Sequence, residues 1–245
     1  KAWEVGLTCG GKIKVLVEKY SVSDLRIIKK INSVFKNQGK FIVSTNLSTG
    51  ERKFSDDPTI FEKEMKAYIN SDISSLTNIN GISWFNKVFT SQPVIIIIGA
   101  VHISEPLVEL AKILNFKVYI IDPRNNFDKS KFKNKAILID AWPDDGLKKL
   151  TIDSNTSIVT LTHDPKLDDP ALLFSLKSKA SYIGCLGSKK THQARVERLI
   201  KKGFSKNDIC KINGPIGIDI NAKTPSEIAC SIISQIIQRK NQDGL

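Results

Sequence analysis

Four short stretches carry residue types that bind anions or move protons. Gly99-Ala100-Val101-His102 follows an apolar run and opens a helical pattern. Asp122-Pro123-Arg124 follows the next apolar run, 122 − 99 = 23 residues past Gly99. Thr162-His163-Asp164-Pro165 follows a later run, and Gly184-Cys185-Leu186-Gly187-Ser188-Lys189-Lys190 closes another. A glycine turn at a helix start offers free backbone amides, and the helix dipole there favours an anion by ~0.3–1 kcal/mol per charge. An acid about twenty residues further on can accept from ribose hydroxyls. Arginine beside it suits phosphate or carboxylate. Histidine can donate, accept or exchange a proton near neutral pH.

The four stretches differ in specificity. The dinucleotide fingerprint G-x-G-x-x-G needs three glycines, and only Gly99 is present. Val101 stands where a glycine would let a pyrophosphate approach, and His102 reads as a phosphate donor or a cap of the turn. Asp122 reads as a ribose acceptor or as a cap of the Pro123-Arg124 loop. Asp164 before Pro165 is also a plain helix N-cap, so His163 and Asp164 carry two readings. The stretch from Gly184 to Lys190 is the strongest anion signal. Its Ser188 reads as a cap, and Lys189 and Lys190 then oppose the helix dipole unless an anion sits there. Cys185 reads as a packing residue. Near the start, Cys9 is flanked by Gly10 and Gly11, which suits an exposed thiol acting as a soft metal ligand or sulfur relay, or a glycine turn with an incidental cysteine.

These stretches must be held by a scaffold, and the hydropathy pattern supplies one. Apolar runs predict strands at Val94–Ile98, Lys117–Ile121, Ala136–Ile139, Ser157–Leu161 and Ser181–Ile183. Helical spacing appears at His102–Leu114, Pro165–Leu176, Lys189–Lys202 and Pro225–Lys240. Strands apolar throughout imply burial on both faces, hence a parallel sheet. Right-handed crossovers make it an α/β, Rossmann-like, doubly wound sheet with order 3-2-1-4-5. A smaller α+β domain is expected over residues 1–90, and the Rossmann-like domain over 91–245. The first part reads as a strand at Ile13–Lys19, a helix at Asp24–Asn37, and a hairpin from Phe41–Thr45 to Arg52–Phe54. A helix opening at Pro58 and a strand at Ile82–Phe89 complete it. Thr90 to Pro93 is the expected boundary.

Composition removes several classes. The 245 residues are 41% hydrophobic and 25% charged, which is globular rather than disordered. The longest apolar run, Val94 to Val101, is far shorter than the ~20 residues of a membrane helix. The net charge of +12 comes without a recognition motif, so nucleic acid is not the expected partner. The four cysteines show no C-x-x-C spacing, which argues against a zinc site or disulfide framework and for a reducing cytoplasm.

Taken in order, the motifs resemble the XdhC/CoxI family of molybdenum-cofactor maturation factors. The resemblance is carried by Val5-Gly-Leu-Thr-Cys-Gly-Gly11, Ile98-Gly-Ala-Val-His102, Asp122-Pro-Arg124 and Leu161-Thr-His-Asp164. It continues through Tyr182-Ile-Gly-Cys-Leu-Gly-Ser188, Pro215-Ile-Gly-Ile-Asp-Ile220 and Thr224-Pro-Ser-Glu-Ile-Ala229. It implies binding of molybdopterin-type molybdenum cofactor, help with its sulfuration, and delivery to a xanthine-dehydrogenase-type molybdenum hydroxylase. It implies a cysteine desulfurase as a second partner, and a homo-oligomer is expected. The family reads G-A-G-H where Gly99-Ala100-Val101-His102 stands, and its first domain begins well before Cys9. A truncated chain, or a separate polypeptide supplying that half, is therefore expected. The residues expected to hold cofactor are Cys9, Gly10, Gly11, Gly99, His102, Asp122, Arg124, His163, Asp164, Gly184, Gly187, Ser188, Lys189 and Lys190. The alternatives are an NAD(P)-dependent oxidoreductase and an assembly scaffold without a small-molecule ligand. No Tyr-x-x-x-Lys or other hydride-transfer set accompanies the first.

Overall fold

All five residues of Val94–Ile98 are buried, which requires cover on both faces of the strand. In the computed structural model that strand is the centre of a six-stranded parallel sheet. The structure describes residues 14–37, 39–61, 63, 65, 74–124 and 127–242. Numbered along the chain, the strands are β5 (Val94–Ile98), β6 (Lys117–Ile121), β7 (Ile137–Ile139), β8 (Thr156–Thr160), β9 (Tyr182–Cys185) and β10 (Ile212–Asn213). Their spatial order is β10-β9-β8-β5-β6-β7. Counted from β5, that is the doubly wound order 3-2-1-4-5 with a sixth strand added at the edge. The switch point lies between β5 and β8, which pair in register from Val94 with Thr156 to Ile98 with Thr160.

Alternate residues of β5 feed opposite faces, as the two-residue period of a strand dictates. Ile95 and Ile97 join a core with helices α2 (Ser104–Ile113) and α7 (Pro225–Gln242), through Leu107, Val108, Ala111, Ala229, Ile232, Ile233 and Ile236. Val94, Ile96 and Ile98 face α3 (Pro143–Lys148) and α4 (Pro165–Ser175), through Leu147 and Ala171. Helix α5 (Lys189–Lys201) and the short α6 (Lys206–Ile209) cover β9 and β10 through Leu199, Ile209 and Ile212.

Before the parallel sheet stands a smaller antiparallel one. Strands β1 (Lys40–Asn46), β2 (Arg52–Ser55), β3 (Ser75–Ile79) and β4 (Ile82–Thr90) lie in the order β2-β1-β4-β3. Helix α1 (Leu25–Asn37) lays Ile27 and Val34 on Phe41 and Val43. β3 was not expected from hydropathy, since Ser75, Thr77 and Asn78 dilute its pattern. Its signal is the turn: Asn80 and Gly81 both take positive φ (51° and 82°), as a two-residue type I′ hairpin requires.

Residues 14–19 do not form the expected strand. They run beside the sheet and are tied to it by side chains. The Glu18 carboxylate accepts from Thr45 Oγ1 at 2.9 Å and Arg52 Nε at 3.0 Å, and Arg52 donates to the Lys19 carbonyl at 2.9 Å. Of the expected helix after Pro58, a 3-10 turn at Pro58–Ile60 and the helical residues Lys63 and Met65 are described, and the remainder falls largely outside the described residues. No helix among the described residues is long and apolar enough to cross a membrane.

Candidate functional site

Parallel pairing brings the four chemical stretches to one edge. The carboxyl ends of β6, β5, β8 and β9 are neighbours in that order. Asp122 and Arg124, Gly99 and His102, His163 and Asp164, and Gly187 to Lys190 therefore form one row. Gly184 is set back from it. It lies inside β9, where an added Cβ would meet Ile216 Cδ1 at 2.5 Å, so its smallness serves packing against the 214–224 loop. Cys9, Gly10 and Gly11 lie outside the described residues.

The turn after β5 is internally committed. The Gly99 amide donates to the Ile121 carbonyl at 3.0 Å, the Ala100 amide to the Asp122 carboxylate at 2.8 Å, and the Val101 amide to Ser104 Oγ at 3.3 Å. Gly99 takes φ +105°, and a Cβ there would lie 2.5 Å from Thr162 Cγ2. Thr162 thus sits directly against Gly99 at the switch point, and the turn needs a glycine there for packing. His102 is exposed, two residues before the start of α2. It lines a cleft of about 340 Å³ with Val101, Arg124, Phe127 and Phe132, and Glu105 pairs with Lys131 across it at 2.9 Å.

Asp122 is almost fully consumed. Besides the Ala100 amide it accepts from the Arg124 amide at 2.9 Å and from the Arg124 guanidinium at 2.9 and 2.7 Å. Burial opposes its charge, but Arg124 and the two amides outweigh burial and hold the carboxyl below the usual carboxylate range. The arrangement favours the loop-cap reading of Asp122 over ribose binding. Arg124 also feels Asp164 and Asp168 across the crevice, which raises it further.

After β8 the chain turns sharply at His163, an exposed histidine with φ +61°. Asp164 is the N-cap of α4, accepting from the Lys166 amide at 2.9 Å, with Pro165 at the first helical position. Asp164→Ala is expected to cost about 1 kcal/mol of stability, read from the thermal unfolding midpoint; an unchanged midpoint would show that the cap is dispensable.

Hydropathy did not reveal what lies beneath these loops. Asp168 and Arg195 are both 2% exposed and face each other at 3.9 Å. Asp168 accepts from Thr162 Oγ1 at 2.7 Å, and that hydroxyl accepts from the Asp164 amide at 3.1 Å. Arg195 donates to the Leu186 carbonyl at 2.8 Å and reaches His192 Nδ1 at 3.4 Å. Its Nε–H is buried without a hydrogen-bond partner among the described residues. Burial raises Asp168 above its ordinary value, with Thr162 and Arg195 opposing. Burial, then the Arg195 cation, lowers His192. Cys185 behind them is wholly buried, and burial pushes its thiol up to about 12, which makes it inert near neutral pH. The available signal was spacing: Asp168 and Arg195 sit in the first and second turns of helices that follow adjacent strands.

The loop after β9 is the least committed. Ser188 caps α5, accepting from the Thr191 amide at 3.1 Å. Lys189 and Lys190 are exposed and make no ion pair among the described residues. Two cations sit on the positive end of a 13-residue helix with no acidic partner among the described residues.

Comparison with known proteins fits this architecture. Over nearly its whole length the chain resembles a probable xanthine dehydrogenase subunit of Bacillus subtilis. The two are 26% identical over 98% of this chain and 73% of that one. It is 27% identical to an uncharacterized protein, YqeB, of Escherichia coli, over 65% of this chain but only 30% of that protein. It is 32% identical to the molybdenum cofactor insertion chaperone PaoD of Escherichia coli, over 35% of this chain and 27% of that one. It superposes on the crystal structure of a xanthine dehydrogenase from Bacillus halodurans with a TM-score of 0.66 and 25% identity, covering 91% of this chain and 66% of that one. The chain thus spans a third or less of two of these relatives. The model of the XdhC Rossmann domain matches residues 95–236, more than half of the chain, and the chain belongs to the XdhC family.

Proposed function

We propose that this protein is an accessory factor that holds molybdenum cofactor and hands it to a xanthine-dehydrogenase-type molybdenum hydroxylase. The likeness to a probable xanthine dehydrogenase subunit over 98% of the chain carries this reading. The likeness to a cofactor insertion chaperone supports it. The donor set supports it as well. The Gly99, Ala100 and Val101 amides are already spent within their turn, whereas Ser188, Lys189 and Lys190 offer a hydroxyl and two cations without an ion-pair partner among the described residues. In this reading those three residues hold the anionic end of the cofactor. His163, at the neighbouring strand end, faces the same group as a donor, and Arg124 closes the row. The cofactor supplies the metal chemistry when bound; the chain supplies charge and orientation.

The finer parts of the proposal are sulfuration of the held cofactor with a cysteine desulfurase, Cys9 as the thiol nearest that chemistry, and assembly as a homo-oligomer. The committed amides of the Gly99 turn disfavour an NAD(P) oxidoreductase.

The test is retention of cofactor released from a donor molybdoenzyme, read as pterin fluorescence after oxidation. Lys189→Ala with Lys190→Ala is expected to weaken retention about tenfold, the loss of roughly one solvent-screened, charge-assisted contact. Retention equal to the parent's would remove the two lysines from the site. Failure of the parent to retain any pterin would overturn the function.

A further inference from the structure

A buried ion pair is weak evidence for stability, because desolvating two charges offsets much of their attraction. Asp168 and Arg195 therefore call for another account. Helices α4 and α5 are already joined at their rim by Arg198, which donates to Asp169 through Nε at 2.6 Å and through a terminal nitrogen at 2.9 Å. The inner pair is not needed to hold the helices together. Its hydrogen bonds instead run upward, into the two loops of the ligand edge.

Each partner serves a different loop. Asp168 holds the Thr162 hydroxyl, and Thr162 holds the Asp164 amide, which sets the turn at His163. Arg195 holds the Leu186 carbonyl, one residue before Gly187 and two before the Ser188 cap. A Cβ on Gly187 would lie 3.0 Å from Thr191 and 3.7 Å from the Arg195 guanidinium, so this loop rests directly on the pair. The Arg195 Nε–H, although buried, has no hydrogen-bond partner among the described residues. An unmet donor costs stability. The guanidinium's own hydrogen bond goes to the Leu186 carbonyl of the loop.

We propose that Asp168 and Arg195 are positioning residues, a buried strut that locks the loop after β8 to the loop after β9. The strut presents His163 and Lys189–Lys190 to an anionic ligand in one arrangement. The ligand-facing half of this proposal rests on the function proposed above; the coupling of the loops does not.

Hydrogen exchange on the full chain without ligand tests the coupling. The Asp164 and Thr191 amides report the two loops, since the first is held by the Thr162 hydroxyl and the second by the Ser188 cap. Arg195→Lys keeps the charge beside Asp168 but loses the forked reach to Leu186 and His192. It is expected to leave the thermal midpoint close to the parent's while speeding exchange at both amides about tenfold. Asp168→Asn is expected to speed the same two amides but also to lower the midpoint, because the buried Arg195 charge loses its partner, and the double variant to speed them no more than either single one. Pterin retention, measured as above, falls by a similar factor in each. Faster exchange confined to the substituted side, or additive effects in the double variant, would overturn the strut. Coupled exchange in a parent that retains no pterin would overturn the function and the ligand-facing half together, while the coupling stood.

Discussion

Asp122→Ala is expected to lower stability by about 3 kcal/mol, or about 6–12 °C in the unfolding midpoint. The carboxylate, whose side chain is 1% exposed, accepts two amides and a forked guanidinium. Its removal orphans the Ala100 amide in a part-buried turn. Arg124 is 37% exposed and can rehydrate, which keeps the loss at the lower end for a broken pair. The effect has a pH signature. Asp122 is held below the usual carboxylate range, so its contribution is full above that range and is lost as the pH falls through its own lowered value. The gap between parent and variant should narrow in acid. A gap that stayed constant from neutral pH to strong acid would show that the lost charge was not the cause. Asp168, raised by burial, pulls the other way: its ionisation penalises the native state as the pH climbs above the ordinary carboxylate range.

Gly99→Ala is expected to cost about 2–4 kcal/mol, through backbone strain at φ +105° and collision with Thr162. The two causes separate in a double variant. Thr162→Ser removes the offending methyl and keeps the hydroxyl that serves Asp168. Combined with Gly99→Ala, it should recover about 1 kcal/mol or more, as coupled neighbours do. Denaturant unfolding measures each step. A Gly99→Ala protein that is as stable as the parent but no longer retains pterin would return this glycine to ligand binding.

The sheet was legible because its strands are apolar on both faces, a pattern that only burial between two helical layers explains. β10, two residues long, has no such pattern and escaped notice. β3 escaped because Ser75, Thr77 and Asn78 hide its period, although Asn80-Gly81 announces the hairpin on turn chemistry alone. The row of strand-end residues was also legible, since topology places them together once the order is known. Which of them are free was not. Asp122 and Gly99 carry the residue types of a nucleotide site, yet their partners are each other's neighbours, Ala100, Arg124 and Thr162. Asp168 and Arg195 were hidden for a related reason. They are 27 residues apart, and a charged residue at a helix start reads as surface until its burial is known.

The C-terminal helix has a consequence for how the protein is made. Ala229, Ile232, Ile233 and Ile236 complete the same core as Ile95 and Ile97 of the central strand. On a ribosome adding about 5–20 residues per second, the 236 − 98 = 138 residues between them take roughly 7–28 s to emerge. During that interval one face of β5 has only α2 as helical cover and lacks the share that α7 supplies. The same helix fixes the 214–224 loop, with Gln235 gripping both the amide and the carbonyl of Gly217 and Ser231 the carbonyl of Ile218. The 214–224 loop, against which Gly184 of β9 packs, is therefore held in place only once this helix has emerged.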